Sequence, residues 1–361
     1  MAEGGISQTP IFSARPVVRV GGQPVERVTA LLTALRMEES EGGMSTLEMR
    51  LSNWAATGDG PPELAFDARS PLRLGADLLV GTGDEAAPNE IFRGKVSALE
   101  IVCEAGRPPE LAVLAEDALT AARRSRRTQV YAGMSPADVF NAAAGRLGLA
   151  PRVSGLAAPV GTWVQLNETD LGFLRRLAAR FEADLQVTGT ELAVAPRQEV
   201  QRGTVELAMH SQLSRVRITA DLADQATAVT AVGWNAVGGT EVSGSASAVT
   251  HGGPGSGRSG VDWAQQVFGT RSEHVAAHAV STDEEARALA EAALDQRARR
   301  FLRAEGTAEG NARVRVGTQL RITGVSPQFD NSYYVVQANH LFDLAKGYRV
   351  EFRAECAYLN D

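Results

Sequence analysis

The chain has 361 residues, of which 44% are hydrophobic, 22% charged and 6% aromatic. That composition supports packed globular structure and excludes disorder, collagen and a disulfide-dense mini-protein, and at roughly 100–200 residues per domain it allows two or three domains. With 36 Lys and Arg against 43 Asp and Glu the net charge is −7, which gives no electrostatic reason to expect nucleic acid or an anionic membrane as partner.

Lys95 and Lys346 are the only lysines, and the two cysteines, Cys103 and Cys356, are too few for a zinc set. Met1 to Pro10 lacks the basic start and apolar core of a signal peptide. No apolar run approaches the roughly 18–20 residues that span a bilayer, so no membrane insertion is expected. The expected product is soluble and made in the cytosol.

From Arg15 to about Leu119 the text alternates as antiparallel strands do: Val18 and Val20 before Gly21-Gly22, then Leu47, Met49 and Leu51. Ser135-Pro136-Ala137-Asp138 has an N-cap, a proline at the first helical position and an acid at the third, so a helix is expected to run to about Gly148. A second start at Asn167-Glu168-Thr169-Asp170 leads into the helical stripe Leu171, Leu174, Leu177, Ala178 and Phe181. A hairpin across Thr188-Gly189-Thr190 follows. Beyond Val200 the strand texture returns, interrupted by a Gly/Ser-rich stretch read as a mobile loop over 238–260 and by a helix over 282–304 with Ala286, Leu289, Ala290, Ala293 and Leu294 on one face.

The two strand-rich regions also match each other. Setting Gly75 on Gly317 places Leu72, Leu74, Leu78 and Val80 on Val314, Val316, Leu320 and Ile322. Setting Ala115 on Ala354 aligns Leu111, Val113 and Glu116 with Val350, Phe352 and Glu355. Gly75 and Gly317 are therefore expected in equivalent tight turns. The expected fold is mainly β: two similar antiparallel β-barrel domains, 1–130 and 201–361, flanking a small α+β insert domain, 131–200.

Motifs for chemistry are weak. Gly255, Gly257 and Gly260 spell G-x-G-x-x-G without the buried strand that a dinucleotide turn requires, and Gly94-Lys95 lacks both the first glycine and the Ser/Thr of a phosphate loop. His274 and His278 are four apart, but Val275, Ala277 and Ala279 between them suggest a strand, on which such residues lie too far apart to share a metal ion. The basic group Arg123, Arg124, Arg126 and Arg127 reads as a solvated edge or an inter-subunit salt-bridge site, with phosphate contact as the alternative. Asp283-Glu284-Glu285 suits a helix N-terminus. No catalytic, cofactor-binding or metal-ligating residues are assigned, and no enzymatic activity is expected.

Three segments carry a resemblance. Glu168-Thr169-Asp170-Leu171-Gly172-Phe173-Leu174-Arg175-Arg176-Leu177-Ala178 resembles the E-x-D-x-x-F-L-x-R-L-A helix of the phage late control gene D and VgrG hub proteins, and Leu185 to Val194 matches the hairpin that follows it. Gly317 to Gly324, with Tyr333-Tyr334-Val335-Val336, His340 and Gly347 to Phe352, is similar to the closing segment of the same family. The resemblance implies a homotrimeric baseplate hub of a contractile tail or injection system. Its partners would be the inner tube protein, a spike protein and baseplate wedge components; the chain would be cytoplasmic until assembled and then part of a phage tail-like particle. VgrG chains continue into a needle whereas this sequence stops at Asp361, so the resemblance implies a separate spike polypeptide. The alternative is a tail-associated component that binds or degrades peptidoglycan, which would need a pair of acids in a cleft; Glu168 and Asp170 read better as helix caps.

Overall fold

A computed structural model of the chain describes residues 15–56, 62–67, 69–84, 87–275 and 280–361. The expectation for Met1 to Pro10 and the residue His278 lie outside them. The described part is mainly β, and twelve of its strands carry the architecture. They are β1 (Val17–Val20), β2 (Leu32–Ser40), β3 (Thr46–Ser52), β4 (Asp77–Thr82), β5 (Asn89–Val102) and β6 (Glu110–Glu116), then β7 (Thr204–Ala208), β8 (Leu213–Ala220), β9 (Leu302–Glu309), β10 (Gln319–Thr323), β11 (Asn331–Asp343) and β12 (Gly347–Cys356).

These strands, with the short Gln23–Pro24, form one 13-stranded sheet. In the first half the order is β2-β3-β6-β5-β4-β1, and in the second half it is β8-β9-β12-β11-β10-β7. The agreement extends to irregularities. The β5–β6 ladder slips between Val96 and Ala98 and the β11–β12 ladder between Val335 and Gln337. The β2–β3 ladder slips between Leu32 and Ala34 and the β8–β9 ladder between Leu213 and Arg215.

The turn before β4 and the turn before β10 also agree. Gly75 (φ +79°) donates its N–H to Val96 at 2.8 Å, and Gly317 (φ +85°) donates to Val335 at 2.9 Å; both dihedrals lie where glycine carries no Cβ penalty. Ala76 and Thr318, the next residues, each accept from that same valine at 3.0 Å. One difference stands out: β1 runs antiparallel to β4, whereas β7 runs parallel to β10.

Each half buries its alternate residues in its own core. Leu35, Met37, Leu47, Met49, Leu78, Val80, Phe92 and Val113 fill the first, and Leu320, Ile322, Tyr333, Val335, Val350 and Phe352 the second. The halves join where β2 pairs antiparallel with the C-terminal part of β11, from Ala34↔Asp343 to Ser40↔Gln337. The expected pair of barrels is thus an open sheet shared by two halves. Among the described residues β1 does not pair with β2, and β7 meets β8 only through the isolated bridge Met209↔Leu213.

The α+β insert has its own core. The expected boundary after residue 130 falls inside the strand Arg126–Met134, which pairs with Gly161–Thr169. Leu119 and Ala122 already belong to the insert core, with Phe140, Phe173, Leu174, Leu185 and Leu192. The helix Pro136–Leu147 is capped by Ser135 with a reciprocal bond to Asp138 and stops at Gly148 in the left-handed conformation. The helix Asp170–Arg180 is capped by Thr169, and the hairpin Ala183–Thr188/Glu191–Pro196 turns at Gly189.

Two expectations for the second half need correction. The stretch 238–260 is not a plain loop: it contains the strand Thr240–Ala246, paired with Ala228–Asn235, and its end opens the helix Gly260–Phe268. The expected helix over 282–304 is Asp283–Arg299, capped by Thr282; it ends early because Leu302 is already in β9, opposite Cys356. The strands Ala228–Asn235 and Thr240–Ala246 and this helix share a fourth core of Val229, Ala231, Val242, Ala286, Ala290 and Leu294. Sequence reading missed its second strand, Thr240–Ala246, because that strand is rich in Gly, Ser and Ala. Gly244 is required there, since a Cβ would lie 2.1 Å from the Arg287 backbone nitrogen.

Candidate functional site

Residues flagged for chemistry turn out to have structural partners. The Gly255–Gly260 run packs against the C-terminal segment. A Cβ on Gly255 would sit 2.6 Å from Cys356 Sγ, one on Gly257 2.3 Å from the Leu359 carbonyl oxygen, and one on Gly260 2.6 Å from Phe301. These glycines serve close packing of chain on chain. Gly94 does the same at the Glu116 carbonyl, 2.2 Å from an added Cβ. His274 sits on the strand Ser272–Val275, as the alternation suggested.

Two arginines of the cluster, Arg123 and Arg127, pair with carboxylates, and Arg126 donates to the Asn167 carbonyl. Asp170 is buried and takes Arg127 at 3.0 Å, Arg146 at 3.6 Å and the Gln165 amide at 2.9 Å. Glu168 pairs with Arg176, and Arg123 with Glu116. Asp170 is therefore the centre of a buried ion cluster and more than a cap. A cleft of about 270 Å³ between the insert and the helix Asp283–Arg299 also holds carboxylates, but there Glu182 pairs with Arg299 at 2.6 Å, and Asp295 accepts the backbone N–H groups of Thr250 and His251. Cys103 is exposed and Cys356 buried, both as free thiols. Among the described residues no group of three or more His, Cys, Asp and Glu side chains has metal-site geometry, and no helix is long and apolar enough to cross a membrane.

The most organised polar chemistry lies at the joint between the halves. Glu39 of β2 is buried; it accepts from Arg315 Nε at 2.8 Å and from the Val316 N–H at 2.6 Å. Burial pushes the Glu39 carboxyl up, but Arg315 and the Val316 N–H outweigh it and leave it below the usual range. Beside it, His340 of β11 places Nδ1 2.7 Å from the Tyr348 hydroxyl. Burial, reinforced by Arg315, pushes the His340 imidazole down to about 4, so it is neutral at pH 7. Arg197, from the insert, bridges Glu41 at 3.2 Å and Glu355 at 3.0 Å and stacks 4.2 Å over the Tyr334 ring, tying the insert to both halves.

Among the described residues, β8 and the end of β5 are two of the strand edges without a ladder partner. β8 pairs only with β9 along one edge. β5 pairs with β4 only from Asn89 to Lys95, so on that side its last residues, from Ala98 to Val102, are open. The solvent face of the sheet is polar and continues across the joint: Arg36, Arg215, Arg217, Glu305, Glu351 and Arg353 line one shared depression.

This is the fold of tail proteins. The 43 kDa tail protein of prophage MuSo2 from Shewanella oneidensis superposes with a TM-score of 0.68 at 13% identity, over 94% of this chain and 97% of that one. A tail protein from Neisseria meningitidis MC58 gives 0.65 at 14% identity, over 94% and 96%. An Escherichia coli component of the type VI secretion system, itself similar in structure to T4 bacteriophage tail proteins, gives 0.56 at 11% identity, over 95% and 78%. No curated protein sequence matches the chain. Residues 64–343 match the family model of the Alg8 N-terminal domain, and the chain belongs to that family.

Proposed function

We propose that this chain is a structural hub of a contractile, phage tail-like injection system. Three copies form a ring that joins a hexameric inner tube to a trimeric spike, with baseplate wedge components outside it. The observation that carries the reading is the repeated half: two sheet units of the same strand order, with ladder slips at equivalent places. Three chains with two such units each present six near-equivalent faces, which suits a six-fold tube while the chain itself keeps three-fold symmetry for a spike. In this reading residues 1–130 and 201–361 supply the two barrel-like ring units, 131–200 braces them from outside, and Gly75 and Gly317 are equivalent turns. The polar face around Arg36, Arg217 and Arg353 suits a wet lumen. The scaffold role also fits a molecule whose buried carboxylates are committed to arginines or to backbone N–H groups.

Cryo-electron microscopy of the particle that contains the chain tests this. Three copies on the axis between tube and spike are expected; six copies, or a peripheral position, would overturn the proposal. Zymography on peptidoglycan tests the wall-degrading alternative, and no clearing is expected.

A further inference from the structure

The joint inside the chain predicts a joint between chains. Aligning the halves by strand order and ladder slip places β5 on β11, so that Leu99, Ile101 and Cys103 take the positions of Ala338, His340 and Phe342. It places β8 on β2, so that Val216, Ile218 and Ala220 take those of Leu35, Met37 and Glu39. Leu74 takes the position of Val316 through the shared turn.

In the second half Val316, Ala338 and His340 are all 0% exposed, because β2 lies along β11 and covers them. Their first-half counterparts stand in solvent: Leu74 is 64% exposed, Leu99 37% and Ile101 56%. Nothing within the described chain covers them, although the open edge of β5 beside them is the edge that β11 uses for β2. The matching edge is also present: beyond Leu213, which bridges to Met209, β8 pairs only with β9, and it holds Val216 and Ile218 half-buried. An apolar patch of this kind beside an unpaired strand is what an unmade sheet contact leaves exposed. The covering strand cannot be the chain's own β2, which is already paired on both sides by β3 and β11.

We infer that β8 of one copy adds antiparallel to the open end of β5 of a second copy, covering Leu74, Leu99 and Ile101 with Val216 and Ile218. The inference rests on the ring reading for its closure, but the joint is defined without it. The contact is head to tail, so it closes a ring only if each addition turns by the right angle and otherwise grows a filament. It also differs in chemistry from the joint it copies. Where the internal joint buries Glu39 with Arg315, the copy joint has Ala220 at the glutamate's place, and Leu99 and Ile101 where the internal one has Ala338 and His340. Association through it therefore rests on these apolar side chains, with Arg73 at the place of Arg315 and no acid at the place of Glu39.

The alignment supplies its own test. The internal pair Phe342↔Leu35 maps onto Cys103 of one copy opposite Val216 of the next, at a separation between facing strand residues that a disulfide can span. The full-length chain carrying Val216→Cys, mildly oxidised, is expected to form covalent species that stop at three copies and vanish when Cys103→Ser is added. Ile101→Cys with Ile218→Cys in a Cys103→Ser background probes the neighbouring pair, His340↔Met37, should the first variant fold poorly. Failure of both pairs to cross-link, or cross-linking no faster than with a thiol placed at exposed Leu344, overturns the joint. A three-copy ring in the particle with both pairs unlinked overturns the joint and leaves the ring reading standing. Links that run past three copies support the joint and sink the ring.

Discussion

Acidification should weaken the joint between the halves through His340. The imidazole is fully buried, 2.7 Å from the Tyr348 hydroxyl, and held down to about 4 against an ordinary value of 6.5. A group whose folded value is depressed in this way is protonated first in the unfolded chain as pH falls, so stability is lost from about pH 6.5 and the loss saturates below about 4. The difference of about 2.5 units corresponds to about 3 kcal/mol, of which about 2 kcal/mol is lost by pH 5. Two other acids oppose it. Burial raises Glu41 to about 7, against the pull of Arg197, and raises Asp117 to about 6, against the Ser45 and Leu119 N–H groups. Both favour the folded state as pH falls, so the raw pH curve of the protein mixes opposite signs. The difference between wild type and His340→Gln removes those shared contributions. Gln keeps a polar contact for Tyr348, and neither Glu39, Arg315 nor Met37, which face the ring, is altered. Urea unfolding followed by circular dichroism at pH 7.5 and pH 5 is expected to show wild type losing about 2 kcal/mol of its advantage over the variant. Parallel curves for the two proteins would refute the assignment of a buried, neutral His340.

Gly317→Ala should cost more than Gly75→Ala. Both glycines have positive φ, worth about 1 kcal/mol each, but only at 317 would the new Cβ meet another group, Val200 Cγ1 at 2.7 Å; thermal melts of both variants check the order. Ser135→Ala removes a reciprocal cap and should cost about 1 kcal/mol, against about 3–5 kcal/mol for Phe140→Ala in the insert core, read by urea denaturation. Gly257→Ala should loosen the C-terminal strand Tyr358–Leu359, seen as faster hydrogen exchange there, while ATP and NAD leave the melting temperature of wild type unchanged.

Local signals were legible in the residues and long-range ones were not. The caps at Ser135 and Thr282 and the turn at Gly189 could be read directly, because a cap or a two-strand turn is decided within a few residues of chain. The stretch 238–260 was misread for the converse reason. Its glycines look like a flexible linker in one dimension, yet they are contact points against Cys356, Leu359 and Phe301, which are 41 to 102 residues away in sequence and adjacent only in the fold. The same holds for G-x-G-x-x-G, where the letters suit a phosphate turn and the packing uses them otherwise. Of the candidate interface, Leu74 was visible as the partner of Val316, but that it is exposed while Val316 is buried follows from which strand β2 joins.

By itself the sequence determined the mainly β texture, the capped helices of the insert and the matching letters around Gly75 and Gly317, since alternation and capping are properties of neighbouring residues. Only the tertiary structure decided that the two halves share one open sheet, that Glu39, Arg315 and His340 form its internal joint, and that β8 and the end of β5 are left unpaired. Those depend on the pairing of strands some three hundred residues apart, and backbone hydrogen bonds between strands carry no side-chain signature that the order of letters records.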